Sequence, residues 1–356
     1  MLPGSSGAGT FTVPVVDISA YVGDGTSRER EVVAAGIDHA CAEVGFMQIV
    51  GHGMSPDVRH ALAAAIDDFF DLSVPEKSRY RVEGANRGYS PPKSESLSLS
   101  LGLESASRMN DFFEAYNIGA EARSYSDLDL DERDYGLNLW PEVPGFRAAT
   151  EAYFGEAKRV AGTLTRIFAD ALGLAPDYFE RLTDHSIDVL RMNNYALPPG
   201  TVVDPRGDLT GMGAHTDYGI VTVLWADQVD GLQVLGRDGT WHEVMPAEDA
   251  LLVNLGDLTA HITNDRWMST LHRVKPPVVD GRIRRRRSAA FFHDGNADAV
   301  IQTLASHLEA ADGLAYEPIM VRDHIAAKLA GSREGKKNSA AVREAQRVLD
   351  AAARSS

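Results

Sequence analysis

One cysteine, Cys41, stands among 356 residues, which excludes an internal disulfide and any centre built on several thiolates, such as a Cys-rich zinc or iron–sulfur site. No apolar run approaches the roughly 18 residues that a membrane span needs. The stretch from Met1 to Thr12 is rich in Gly and Ser and lacks the basic start and apolar centre of a secretory signal, so the sequence predicts a cytoplasmic protein. Basic side chains are in deficit, with 35 Lys and Arg against 51 Asp and Glu and a formal net charge of −16. That surface repels phosphate backbones and anionic lipid, so the expected partner is a small-molecule substrate, with no nucleic acid and no membrane.

What is present belongs to an ordinary globule: 44% hydrophobic and 24% charged residues, enough to bury a sizeable core. Residues 1–12 read as a flexible tail. Residues 13–140 open on the strand Val13-Pro14-Val15-Val16-Asp17. A helix follows at Arg28–Val44, with Val32, Val33, Ile37, Ala40 and Val44 at helical spacing and Gly45 as its stop. Next come a strand at Phe46–Val50 and a helix at Pro56–Leu72, with Val58, Leu62, Ile66 and Phe69 on one face. The irregular part between Glu83 and Leu139 is long enough to be a lid or binding loop. Residues 141–185 hold a long helix, Phe146–Leu172, and a linker.

Between 186 and 294 the texture changes to short β-rich runs separated by turn signals such as Pro198-Pro199-Gly200 and Asp238-Gly239. Residues 295–356 return to helix, at Ala297–Ala311 and Val321–Ala330, before a Lys/Arg/Ala-rich run at Lys336–Arg354. The predicted fold class is α+β: a double-stranded β-helix, a jelly-roll or cupin-like core, flanked by N- and C-terminal helices. Monomer and homodimer both remain open.

A histidine followed two residues later by an acid is a cheap pattern, with about 1.6 matches expected by chance at this composition. Two occur, His215-Thr216-Asp217 and His307-Leu308-Glu309. On a strand the two side chains share a face, whereas on a helix they diverge by about 200° and cannot hold one ion. His307 and Glu309 fall in the predicted helix; His215 and Asp217 precede the strand Ile220–Trp225. A mononuclear non-haem iron site takes two imidazoles and one carboxylate on one face. The strand-like segment around His272 offers the second imidazole, though on spacing alone His272 reads equally as a core histidine with a satisfied hydrogen bond.

The run Arg282-Ile283-Arg284-Arg285-Arg286-Arg287-Ser288 has five arginines. On a strand Arg284, Arg286 and Ser288 share one face, and Arg285 and Arg287 take the other. An inward arginine near a serine hydroxyl forms a carboxylate clamp, and without an anion it would be costly to bury. The strand reading therefore calls for a bound anion.

With these residues in view, the chain resembles the isopenicillin-N-synthase-like branch of the Fe(II)/2-oxoglutarate-dependent dioxygenases, from Val13 to about Ile325. The likeness is carried by Gly45-Phe46-Met47-Gln48-Ile49-Val50-Gly51-His52-Gly53, by Arg191-Met192-Asn193-Asn194-Tyr195, and by Gly213-Ala214-His215-Thr216-Asp217. Val253-Asn254-Leu255-Gly256-Asp257, Ser269-Thr270-Leu271-His272-Arg273-Val274 and Arg286-Arg287-Ser288 complete it. The resemblance implies that His215, Asp217 and His272 ligate Fe(II) as the catalytic and metal-binding set. It implies that Arg286 and Ser288 hold the distal carboxylate of the cosubstrate 2-oxoglutarate, with Tyr195 and Asn193 assisting. It implies oxidation of an unactivated C–H bond of a small molecule by O2, as hydroxylation, desaturation or cyclisation, with release of succinate and carbon dioxide. The setting it brings to mind is bacterial-type specialised metabolism, such as antibiotic biosynthesis.

Two alternatives accompany it: an iron oxidase of the same fold that does not use 2-oxoglutarate, and a non-catalytic barrel binding protein. Ile262-Thr263-Asn264-Asp265 departs from the family's usual turn, and His261 before it is expected in a surface turn. Arg284 is placed at the barrel rim, and His52, His185 and His242 are read as structural. The stretches Ser94–Leu101 and Arg108–Tyr116, the latter with Asp111, Phe112 and Phe113, read either as lid or pocket wall or as surface loop and core helix.

Overall fold

The computed structural model describes residues 11–82, 86–101, 111–197, 211–279, 282–308, 316–336 and Gln346. Most of the tail at 1–12, the Pro198-Pro199-Gly200 turn, Arg108 to Asn110, Glu309 to Ala311 and nearly all of the run at 336–354 lie outside the described residues. The chain begins with β1 (Val15–Asp17), α1 (Ser19–Val22), α2 (Ser27–Glu43), β2 (Phe46–Val50), α3 (Pro56–Phe70), α4 (Val74–Ser78), β3 (Gly88–Ser90) and β4 (Glu114–Gly119). The long α5 (Phe146–Ala171) and short α6 (Glu180–Thr183) lead to β5 (Val189–Tyr195), β6 (Met212–His215), β7 (Val221–Ala226), β8 (Leu232–Leu235), β9 (Trp241–Glu243) and β10 (Leu251–Leu255). After α7 (Asp257–Thr263) come β11 (His272–Val274), a hairpin of β12 (Val278–Val279) and β13 (Arg282–Ile283), and β14 (Arg286–His293). Last are β15 (Val300–Ile301), α8 (Ala305–Leu308), β16 (Ile319–Met320) and α9 (Val321–Glu334).

Eight strands form a major sheet in the order β1-β2-β10-β7-β14-β5-β4-β3, and four form a minor sheet in the order β6-β11-β8-β9. Side-chain alternation along the strands gives the major sheet two different faces. Met192, Val223, Val253, Ala289 and Phe291 point to the helical layer, where Phe291 meets Phe154 of α5 edge-on with ring centroids 5.1 Å apart. On the other face, Phe46, Ala115, Tyr195 and Leu252 pack against Met212, Leu232, Val234 and Val274 of the minor sheet. The second interface is the interior of the predicted jelly roll.

Helix α2 starts on a reciprocal capping box between Thr26 and Glu29. Gly45 ends the turn beyond it at φ +69°, where a Cβ would lie 2.2 Å from the carbonyl oxygen of Met268. Val33, Ile37 and Ala40 are buried as the periodicity predicts, but Val32 is 59% exposed, so the apolar stripe is narrower than the sequence implied.

Among the described residues of the helix expected over Ala297–Ala311, β15 paired with β16 takes up its start and α8 is the helical part. Val300 and Ile301 are β-branched neighbours whose cross-strand partners, Met320 and Ile319, lie outside the local window on which periodicity rests.

Alternation also sorts the basic run. Arg287 points to the helical layer and pairs with Asp67 and Asp227, while Arg285, just ahead of β14, pairs with Asp67 and Asp71. Arg284 is exposed at the rim, and Arg286 alone is driven inward at 2% exposure.

Candidate active site

The antiparallel pairing of β6 with β11 sets His215 directly opposite His272, with ring centroids 4.2 Å apart. The Nδ1 atom of His215 lies 2.7 Å from the Gly213 carbonyl oxygen, and that of His272 lies 3.0 Å from the Thr270 carbonyl oxygen. A carbonyl only accepts, so both rings carry their proton on Nδ1 and turn an Nε2 lone pair toward the same point. Asp217 closes the set, its Oδ1 lying 3.8 Å from Nε2 of His215 and 3.6 Å from Nε2 of His272. Its other oxygen, Oδ2, is engaged: Thr222 and Asn254 each donate to it at 2.6 Å. These two side chains stand opposite each other on β7 and β10 and fix which carboxylate oxygen faces the imidazoles.

All three ligand-type atoms lie within 4.8 Å of one another, the only such cluster of three or more among the described residues. The His215 pKa is pushed down to about 3, first by burial and then by the neighbouring His272 ring, so its imidazole is neutral at physiological pH. Two imidazole nitrogens and one carboxylate on one face are a donor set that fits Fe(II).

A second group forms across β5 and β14. Register pairs Arg286 with Tyr195 and Ser288 with Asn193, all buried. The Arg286 guanidinium lies over the Tyr195 ring at 5.2 Å and donates through Nε to the Val229 carbonyl, while its buried Nη1 has no partner. Asn193 donates to the Ser288 hydroxyl at 3.3 Å, and Tyr195 lies within hydrogen-bonding reach of the same hydroxyl. A buried guanidinium with an unmet donor beside a serine hydroxyl fits the carboxylate of a diacid. Burial raises the Tyr195 pKa to about 12, against the opposing pull of Arg286, so the phenol keeps its proton. The sequence-predicted residues His215, Asp217, His272, Arg286, Ser288, Tyr195 and Asn193 therefore line one cleft, which encloses about 920 Å³ with its open mouth included.

Several pairings around this site carried no sequence signal. Glu95 pairs with Arg191 at 2.8 Å and with Arg333 of α9 at 3.3 Å on the cleft wall. Behind the metal-type cluster, Lys328 of α9 pairs with Asp257 at 2.7 Å, both fully buried. Ser269 and Thr216 also donate to the Asp257 carboxylate, and the Asp257 N–H bonds the carbonyl of Asp217.

The stretch 94–101 is a pocket wall, contributing Glu95 and Leu97. Asp111 supports that wall by accepting the N–H groups of Leu97 and Gly213. Phe112 and Phe113 pack on Tyr195.

His261, expected in a surface turn, is instead buried at 7% exposure in α7 and stacks on Tyr316 at 3.8 Å. The turn signal itself was sound: Asn264 and Asp265 adopt positive φ, but they follow the helix rather than contain the histidine. His52, His185 and His242 bond to Asp249, Asp298 and Asp238.

Comparison with known proteins agrees with this geometry. Residues 13–143 match the family described as non-haem dioxygenase in morphine synthesis N-terminal, and residues 187–295 match the 2OG-Fe(II) oxygenase superfamily. The chain is 31% identical over 320 residues to the 2-oxoglutarate-Fe(II) type oxidoreductase hxnY of Emericella nidulans, covering 88% of each protein.

The chain belongs to the 2OG-Fe(II) oxygenase superfamily.

The oxygenase is also 30% identical over 311 residues to validamycin A dioxygenase of Streptomyces hygroscopicus subsp. limoneus, covering 86% of this chain and 83% of that one. Its fold matches that of a full-length Neurospora crassa protein in complex with alpha-KG and thymine at a TM-score of 0.76 and 28% identity, covering 89% of this chain and 96% of that one. The oxygenase is an α+β protein with a jelly-roll core, and an oxidoreductase whose family works with Fe(II), 2-oxoglutarate and O2.

Proposed function

We propose that this oxygenase oxidises an unactivated C–H bond of a small molecule, by hydroxylation, desaturation or cyclisation, while converting 2-oxoglutarate to succinate and carbon dioxide. The observation that carries this reading is the pair of registers, His215 opposite His272 and Arg286 opposite Tyr195, on the walls of one cleft. When bound, Fe(II) supplies oxygen activation coupled to breakdown of the keto acid. In this reading His215, Asp217 and His272 are the catalytic metal ligands. Thr222 and Asn254 hold the Asp217 carboxylate with one oxygen presented. Arg286 and Ser288 grip the distal carboxylate of the cosubstrate, with Asn193 orienting the serine and Tyr195 closing the apolar side. The packed interior between the two sheets keeps water from this end of the cleft.

We also propose the division drawn from the sequence: 13–140, 141–185, 186–294 as the oxygenase core, and 295–356. Among the described residues no helix is long and apolar enough to cross a membrane. A ferrous centre and a single buried thiol, Cys41, suit a reducing compartment and support a cytoplasmic site. A setting in specialised metabolism draws support from the relatives' names, which span fungal, plant and bacterial small-molecule oxidation.

Anaerobic protein mixed with Fe(II) and 2-oxoglutarate should develop a weak visible charge-transfer band that Asp217→Ala lacks. The same weak absorbance in both proteins would overturn the assignment.

A further inference from the structure

The inward face of β14 reads Arg286, Ser288, Ala290, Phe292 and, one residue beyond the strand, Asp294, all lining the cleft. The cation at one end is accounted for by the clamp; the acid at the other end is not. Asp294 is 7% exposed, and no hydrogen bond or ion pair reaches its carboxylate among the described residues. It lies against the backbone of Gly219, two residues beyond Asp217: a Cβ at that glycine would sit 2.1 Å from Asp294 Oδ1. The carboxylate therefore stands beside the metal-binding loop, at the end of β14 opposite the clamp. The cleft continues there into a wider outer cleft that shares Asn86, Glu95, Asp294 and Leu329.

We propose that Asp294 is a substrate-recognition carboxylate and that the oxygenase's substrate presents a cationic nitrogen, an amine or a guanidinium, to it. This rests on the reading of the cleft as an oxygenase site.

A buried carboxylate without a partner is costly, and the cost is removed when a cation docks. Burial first, then the neighbouring carboxylates of Asp188 and Asp217, raise the Asp294 pKa well above the usual range. The charge of Arg87 acts on Asp294 but offsets only part of that rise, and no ion pair joins the two among the described residues. Arg87 lines only the outer cleft, and its guanidinium is tied to the carbonyls of Asn86 and Ala120. The second unmet acceptor on the inner wall, Asn117 Oδ1, is buried and also calls for a donor. The acidic surface, at −16 overall, draws cationic solutes toward the mouth.

The test uses the full chain loaded with Mn(II) and 2-oxoglutarate, which binds without turnover. Calorimetric titrations compare hexylamine, cyclohexylamine and hexylguanidine with hexanol, cyclohexanol and hexanoate, in the natural protein and in Asp294→Asn. The amine and guanidine probes should bind at least about tenfold more tightly than the neutral and anionic ones, and Asp294→Asn should erase that preference. Absence of a preference in the natural protein, a preference for hexanoate, or one that survives in Asp294→Asn each overturns the proposal. Titration of 2-oxoglutarate in the same samples separates the two readings. Its failure strikes the oxygenase assignment, whereas tight 2-oxoglutarate binding without an amine preference strikes only the role of Asp294.

Discussion

Replacing Lys328 by Met should destabilise the protein by about 3 kcal/mol, the lower end of what removing one member of a buried ion pair costs. The ammonium and the Asp257 carboxylate are 2.7 Å apart and neither is exposed, so the variant leaves a fully buried acid. The lower end applies because that acid keeps other partners: Ser269 at 2.7 Å and Thr216 at 3.2 Å both donate to it. Neutralising both residues, as Lys328→Met with Asp257→Asn, removes the stranded charge and keeps an amide for Ser269 and Thr216. The double variant should therefore lose less stability than the single one, about 1–2 kcal/mol. Equilibrium urea unfolding of the four proteins gives the cycle. Because Asp257 also holds the backbone of Asp217, Lys328→Met should weaken Mn(II) binding as well. A loss below about 1 kcal/mol for Lys328→Met, or additive losses in the cycle, would refute the claim that α9 braces the metal loop through this pair.

Asn254→Ala removes one of the two donors to Asp217 and should lower metal affinity by about 10–100-fold with little change in fold, read by Mn(II) titration. Arg286→Lys keeps the charge but loses the planar fork, and should raise the KM for 2-oxoglutarate by about 10–100-fold, more than it lowers kcat. Burial pushes the Glu95 carboxyl up, yet Arg191 and Arg333 more than reverse this and hold it below its ordinary value. The stability it contributes is therefore complete above about pH 4.3 and lost as the pH falls through the lower folded-state value, so Glu95→Gln should flatten that limb of the acid-unfolding curve.

The parts of the site legible in the sequence are those carried by short local spacings. Arg286 and Ser288 share a face of β14, whereas Asp217 lies just beyond the end of β6, so only the two-residue spacing from His215, and not its face, was legible. The segment containing Asn254 was visible as a motif, but its bond to Asp217 depends on the pairing of β10 with β7. Contacts made by the C-terminal helix were invisible for a plainer reason: Arg333 and Glu95 are 238 residues apart, and nothing local relates them. The start of the helix expected over Ala297–Ala311 and the surface position given to His261 failed alike. In both places a short stretch was read by its own pattern, while β15 pairing with β16 and the stacking of Tyr316 decided the outcome.

The central claim is that one ion sits between three named side chains, with a diacid gripped by Arg286. Anomalous diffraction from crystals of the protein with Mn(II) and 2-oxoglutarate tests it most directly. The account predicts a single strong peak within bonding distance of Nε2 of His215, Nε2 of His272 and Oδ1 of Asp217, with the distal carboxylate on Arg286 and Ser288. A peak elsewhere, or a diacid bound away from Arg286, would contradict it.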